Sequence, residues 1–452
     1  MNLEPLRSFR QEVHRLLTKA KDATFELMDA VMTTRHASSL AEFSLSPMFR
    51  RQYPSTYEAI EDSRPQRNQA MKLFISRIPR HKYIALAIDH TPWPRPDAKT
   101  LKDRTYEHQG KTKNGIVIGQ GYSTIAWLPE GESGWALPLR HERITSWESP
   151  IAKAAWQLKQ VLKHCEHKVL VFLDREYGTA KWVLAIAECK VDCLMRIRSN
   201  ACLYGIPPGY SGHGRPCKYG NKFKLADSET WTESESCLEL RDTVCGRVRV
   251  KMWTGLYLHG AEKNQVNLIL VERLDLTKSG KMLPPLWLVW TGERTMPLVE
   301  IWDQYLRRFG IEHWYRFAKQ RLHWTMPSLK TPNWAGDPTS EQCERWSDLM
   351  PIMTWQLWLA RDLVTQYHLP WQSVTVKLSP GRVAQCGAGH PPRSMLALLI
   401  DIGTPASAPK SRGKSPGRAQ GFKCTSRTRY PVARKTYSRP KKPKEQKIAV
   451  VI

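Results

Sequence analysis

The sequence predicts an α/β fold: a mixed sheet flanked by helices, preceded by a helical region and interrupted by a β-rich insertion. Three observations carry this prediction. YIALAIDHT (83–91) and KVLVFLD (168–174) are short apolar runs, rich enough to be buried strands. SPIAKAAWQLKQVLKH and GTAKWVLAIAECK follow them with apolar residues at helical spacing. The chain of 452 residues is long enough for a large core and for two or three domains.

Taken in order, residues 1–78 read as helices, with breaks at Pro47 and Pro54 and a basic stretch, RPQRNQAMKLFISRI, at the end. Such a module either recognises a DNA end or only packs on the core. After Lys82 the period changes. YIALAIDHT is the first strand; IVIGQGYSTIAWL and SGWALPLRHERI are two more, placed after a basic loop, KDRTYEHQGKTKNG. A helix, the strand KVLVFLD, a second helix and the strand DCLMRIRS complete the set. Three strands, helix, strand, helix, strand is the order of an RNase H-like domain. In that order Asp89 is expected to end the first strand and Asp174 the fourth. Parallel neighbours there bring the two carboxylates to one sheet edge.

The stretch between Asp174 and Glu312 is far longer than an uninterrupted core needs, so an insertion is required. GIPPGYSGHGRPCKYGNKFK is turn-rich and basic, and RVRVKMWTGLYL and NQVNLILVERL read as strands. PLWLVWTG leads back into the core. The expected divisions are a helical DNA-binding domain at 1–78, the catalytic core at 79–199 and 285–368, and the insertion at 200–284. A C-terminal extension at 369–404 and a basic tail at 405–452 follow. Residues 410–447 hold 14 Lys and Arg against the single acid Glu445. Too little apolar content remains there for a core, so the tail reads as disordered in isolation and suited to phosphate contact.

Net charge is +27, which points to a polyanionic partner, most simply nucleic acid. The 18 Trp are mostly core candidates, with a few free to stack on bases. No CxxC pair occurs among the ten Cys, which speaks against structural zinc; Cys386 and His390 form half a site without a second half. Without a signal-peptide or membrane-spanning apolar run, a cytoplasmic chain with reduced thiols is expected.

The segment IWDQYLRRFGIEHWYRFAK carries Tyr305, Arg308, Glu312 and Lys319 at steps of 3, 4 and 7. On one helix these four share a face. One carboxylate, two cations and a phenol suit a metal ion and a phosphodiester. With Asp89 and Asp174 they read as an Asp, Asp, Glu set around divalent metal. Mg²⁺ takes carboxylate and water oxygens, and two ions about 4 Å apart serve the attacking and leaving oxygens of an in-line displacement. Singly, each acid has a plainer reading: Asp89 as a turn cap, Asp174 paired with Arg175, Glu312 paired with Arg308 or Arg316.

These motifs resemble those of the DDE transposases of bacterial insertion sequences, in the superfamily with the Y-(2)-R-(3)-E-(6)-K signature. All four signature residues stand at that family's spacing, Asp174-Arg175-Glu176-Tyr177-Gly178 resembles its second acidic motif, and Ile88-Asp89-His90-Thr91 its first. The resemblance implies an RNase H-like core and cut-and-paste transposition. Asp89, Asp174 and Glu312 are then the catalytic metal ligands for two Mg²⁺ ions, with Mn²⁺ as a substitute. Tyr305, Arg308 and Lys319 bind DNA phosphate. The partners implied are double-stranded DNA, as terminal inverted repeats and target, and a second copy of the chain in the active dimer. Trp231 and Trp253 are candidates for stacking on an extruded base. A non-catalytic DNA-binding regulator and an RNase H-like nuclease or resolvase remain as alternatives.

Overall fold

The computed structural model describes residues 2–109, 115–129, 134–210, 212–242, 246–276, 280–292, 297–326, 339–365, 378–385, 394–409 and 428–436. Four helices come first: α1 (Glu4–Leu16), α2 (Lys21–Thr33), α3 (Pro54–Asp62) and α4 (Arg67–Ser76). The core follows as β1 (Tyr83–Pro94), β2 (Thr105–His108), β3 (Ile116–Leu128), β4 (Leu137–Ile144), α5 (Pro150–Leu162), β5 (Lys168–Leu173), α6 (Ala180–Ala185) and β6 (Asp192–Arg196). The insertion contributes β7 (Cys202–Tyr204), β8 (Lys222–Lys224), β9 (Ser236–Asp242), β10 (Gly246–Leu258) and β11 (Gln265–Arg273). The chain returns through β12 (Leu286–Thr291), α7 (Leu298–Leu306), α8 (Gly310–Gln320), α9 (Ser340–Leu359), α10 (Pro380–Gln385) and α11 (Met395–Ile402).

The described strands form one mixed sheet. In its core β4 pairs β3, β3 pairs β1, β1 pairs β5 and β5 pairs β6. The β1–β5 and β5–β6 pairs are parallel, while β3 runs antiparallel to both β1 and β4. This is the RNase H-like arrangement expected from the element order. The insertion does not stand apart from it: β12 pairs antiparallel with β6, and β11 and β10 continue the same sheet.

Two expectations need correction here. β1 does not end at Asp89 but runs on to Pro94, because β3 pairs with it from Ala85↔Leu128 through Pro94↔Gly119. Only the parallel pairing with β5 stops there, at Ile88↔Leu173. The basic loop expected after β1 also contains a strand, β2, paired with Ile116–Gly119 of β3. Its alternation was hidden because one inward residue, Glu107, is charged.

Helix α9 ties the molecule together. Thr339 and Gln342 close its N-terminus with a capping box, and it runs through Pro351. An internal proline costs roughly 3 kcal/mol. Its buried side chains, among them Trp346, Leu349, Met353 and Trp355, offset this at about 1.5–3 kcal/mol for each large apolar group. The N-terminal helices are built onto this core: Phe74 of α4 stacks on Trp355 at 5.5 Å. Arg10 of α1 pairs with Asp29 of α2 and donates to Gln356 of α9, both at 2.7 Å. Within the basic tail, residues 428–436 pack against the core; the rest of it from 410 on, like the Cys386–His390 pair, lies outside the described residues. Among the described residues no helix is long and apolar enough to cross a membrane.

Candidate active site

The site lies where the parallel pairing of β1 with β5 ends. Ile88 is level with Leu173, so Asp89, the next residue of β1, and Asp174, the first residue after β5, stand side by side. Each is half-buried. Withdrawal from water pushes the Asp89 carboxyl up to about 6; His90 and Arg308 pull against this, and the neighbouring Asp174 adds to it. One Asp89 oxygen accepts from the His90 backbone N–H at 2.8 Å. On Asp174, Oδ1 is buried and has no hydrogen-bond partner among the described residues. Tyr177, from the turn that follows, reaches back to His90 Nδ1 at 3.2 Å.

The signature residues approach from across the sheet, though not on one helix as the spacing implied. Tyr305 lies in α7, Arg308 in a 3-10 turn (Arg307–Phe309), and Glu312 and Lys319 in α8. The tightening falls where the backbone of Gly310 meets that of Trp135. A Cβ on Gly310 would stand 3.0 Å from the Trp135 carbonyl carbon.

Arg308 is buried, with its guanidinium 5.8 Å from the Tyr305 ring and 4.8 Å from that of Phe309. Its Nη2 donates to Glu312 Oε1 at 3.0 Å; Nε and Nη1 have no partner among the described residues. Burial works against its charge, but Tyr305, Asp174, Asp89 and Glu312 together outweigh burial and raise its pKa. Burial lifts the Tyr305 phenol to about 12. Glu312 itself is half-exposed at 49 %. Lys319 donates to Thr91 Oγ1 at 2.7 Å, and burial brings its ammonium down to about 8 against the pull of Asp89.

The geometry brings Asp89, Asp174, Tyr305, Arg308 and Lys319 into one electrostatic neighbourhood and leaves Glu312 joined to it through Arg308. Among the described residues, no three His, Cys, Asp or Glu side chains are grouped to hold a metal ion. The donor chemistry of the two aspartates nonetheless fits a hard divalent cation: neighbouring carboxylates, one oxygen buried without a partner among the described residues. Glu312 is held by Arg308 instead and is not grouped with them. Trp231 and Trp253 lie elsewhere, in an aromatic cluster of the insertion with Phe223 and Trp287. Their indole N–H groups donate to the carbonyls of Lys224 and Thr232.

Sequence reasoning missed Tyr315, Thr124 and His141, and took Thr91 only as part of the first acidic motif. The Tyr315 hydroxyl stands 2.9 Å from both the Asp89 carbonyl and Thr124 Oγ1, and Thr124 Oγ1 stands 2.8 Å from His141 Nδ1. A carbonyl only accepts, so Tyr315 donates to Asp89 and accepts from Thr124; His141 then carries its proton on Nδ1. Two signals were in the sequence. Thr91 is two residues from Asp89 on a strand, and Tyr315 is three from Glu312 on a helix.

Residues 10–252 match a family model described as DDE superfamily endonuclease. The match takes in Asp89 and Asp174 and ends before the signature residues. No curated protein matches the chain.

Proposed function

The chain belongs to the DDE superfamily endonuclease family, and we propose that within it this protein is a cut-and-paste DNA transposase. It binds the terminal inverted repeats of its own element, cleaves at the ends and joins the 3′-OH to target DNA. The observation that carries this reading is the meeting of Asp89 and Asp174 where the neighbouring parallel strands β1 and β5 stop pairing, with Arg308 and Lys319 beside them.

Each residue has a part. Arg308 has two nitrogens without partners among the described residues and a retained charge, so it takes the scissile phosphate. In accepting that phosphate it gives up Glu312. Lys319 places a second positive charge beside Asp89, and Tyr305 offers its phenol to a neighbouring phosphate. Asp89, Asp174 and the released Glu312 are the residues that would hold Mg²⁺. When bound, the cation supplies Lewis-acid stabilisation of the attacking and leaving oxygens. The net charge of +27 supports a DNA partner, and handling two ends calls for a dimer in the active complex. The helical region at 1–78 serves contact with the ends.

The test uses labelled duplex DNA from the flanks of the coding sequence, with Mg²⁺, and compares wild type with Glu312→Gln. Wild type is expected to cleave and join; the variant is expected to bind equally and to lose at least about a hundredfold in cleavage, roughly 2.7 kcal/mol of barrier. Equal activity in both removes Glu312 from the site. Cleavage without joined product supports a nuclease, and binding without cleavage by either protein supports a regulator.

A further inference from the structure

The spacing of the first acidic motif and that of the last signature residue answer each other across the site. β1 stays extended past Asp89 because β3 pairs with it to Pro94. Asp89 and Thr91 therefore share one face of β1, two residues apart. Helix α8 crosses that face. Tyr315 and Lys319 are one turn apart on it, at i and i+4, and Glu312 precedes Tyr315 by three on the same side.

The rises match. Two residues of strand advance about 6.7 Å, and four residues of helix advance about 6 Å. Tyr315 thus reaches the Asp89 carbonyl at 2.9 Å while Lys319 reaches Thr91 Oγ1 at 2.7 Å and the Pro92 carbonyl at 3.4 Å. Thr91 is buried, and the ammonium is flanked by the Trp324 ring at 5.6 Å and the Tyr315 ring at 5.9 Å. A lysine side chain has four rotatable bonds and little preference of its own. Here a short charge-assisted hydrogen bond and two rings leave it one position.

We propose that Thr91 is a positioning residue whose hydroxyl fixes the Lys319 ammonium beside Asp89, so that the cation meets the phosphate already in register. This rests on the endonuclease reading above. In this assignment Thr91 acts through Lys319, to which it is hydrogen-bonded. A valine has the shape of threonine without the hydroxyl, and a serine has the hydroxyl without the methyl.

The experiment measures cleavage of the labelled flanking duplex with Mg²⁺ for Thr91→Val, Thr91→Ser, Lys319→Met and the double variant Thr91→Val/Lys319→Met. Urea unfolding of the same four proteins and wild type is measured alongside. We expect Thr91→Val to lower kcat about tenfold with KM unchanged, and Thr91→Ser to return to within about threefold of wild type. Adding Thr91→Val to Lys319→Met should change cleavage no further, because the group being positioned is gone. Independent, multiplying effects on cleavage overturn the assignment, as do equal losses in Thr91→Val and Thr91→Ser. Additive effects on unfolding show that the hydrogen bond does not couple the pair, and overturn it without reference to activity. No cleavage by wild type, with the unfolding effects coupled, instead strikes the endonuclease reading and removes the reaction that Thr91 would serve.

Discussion

His141 ends the hydrogen-bonded chain that starts at the Asp89 carbonyl, and its surroundings fix its charge. It is 1 % exposed, its ring packs against Trp324 at 4.5 Å and Trp314 at 5.1 Å, and its Nε2 has no partner among the described residues. Withdrawal from water lowers its pKa to about 3, with Lys319 and Arg67 adding to the effect and Glu142 opposing it. The unfolded chain takes up this proton near pH 6.5 and the folded chain does not. Between about pH 6.5 and 3 the unfolded state binds more protons, so stability rises with pH in that window and falls on acidification. The slope attributable to one such group approaches about 1.4 kcal/mol per pH unit. We predict that His141→Asn, whatever its stability at pH 8, loses less on going from pH 6.5 to 4.5 than wild type does, by roughly 2–3 kcal/mol. Urea unfolding at four pH values checks this. Parallel pH profiles in the two proteins would show that His141 is protonated in the fold.

At the scale of elements, the turn between β5 and α6 is what holds Asp174 in place. Gly178, directly after Tyr177 in that turn, lies against the end of β6. A Cβ there would stand 2.1 Å from the Arg196 carbonyl oxygen and 2.9 Å from its carbon. Both are backbone atoms, so the turn rather than a side chain has to move. Gly178→Ala is predicted to cost about 1–3 kcal/mol by overpacking, more than the backbone entropy that alanine recovers. A thermal shift and a weakened response to Mg²⁺ would register it; an unchanged melting temperature would show that the turn has slack. This close approach also marks how far the sequence could be read. The strands around Asp89 and Asp174 were legible because buried parallel strands are continuous apolar runs. The match of Ile88 to Leu173 followed from their both closing such a run. The pairing of Glu312 with Arg308 was open from the i,i+4 spacing. The 3-10 turn at Arg307–Phe309 was not: it falls beside the close approach of Gly310 to Trp135, a contact far away in sequence that spacing does not show. Nor was β2, whose inward Glu107 breaks the apolar alternation.

Over the whole molecule, the residue that explains Glu107 comes from the other end of the chain. Residues 428–436 run across the loop after β1: the Tyr430, Ala433 and Thr436 amides donate to the carbonyls of Lys99, Arg104 and Ser146. Arg104 donates in return to the Tyr430 carbonyl. Lys435 Nζ stands 2.8 Å from Glu107 Oε1, with the lysine 18 % and the glutamate 4 % exposed. Burying a lone carboxylate is expensive, and Thr105 alone, donating at 2.5 Å, does not neutralise it. The strap therefore does more than cover the sheet edge: it brings the counter-charge that lets β2 carry an inward acid. Lys435→Met keeps most of the apolar stem and removes that charge. We predict a loss of about 1–3 kcal/mol, the lower part of the range for a broken buried pair because Lys435 keeps some contact with water. Glu107→Gln in the same chain removes the stranded charge, so the double variant should recover part of the loss. Denaturant unfolding of the four proteins measures the coupling directly. A Lys435→Met variant as stable as wild type, or a double variant losing the sum of the two single effects, would mean that the strap rests on its backbone hydrogen bonds and that Glu107 is neutralised from within the core.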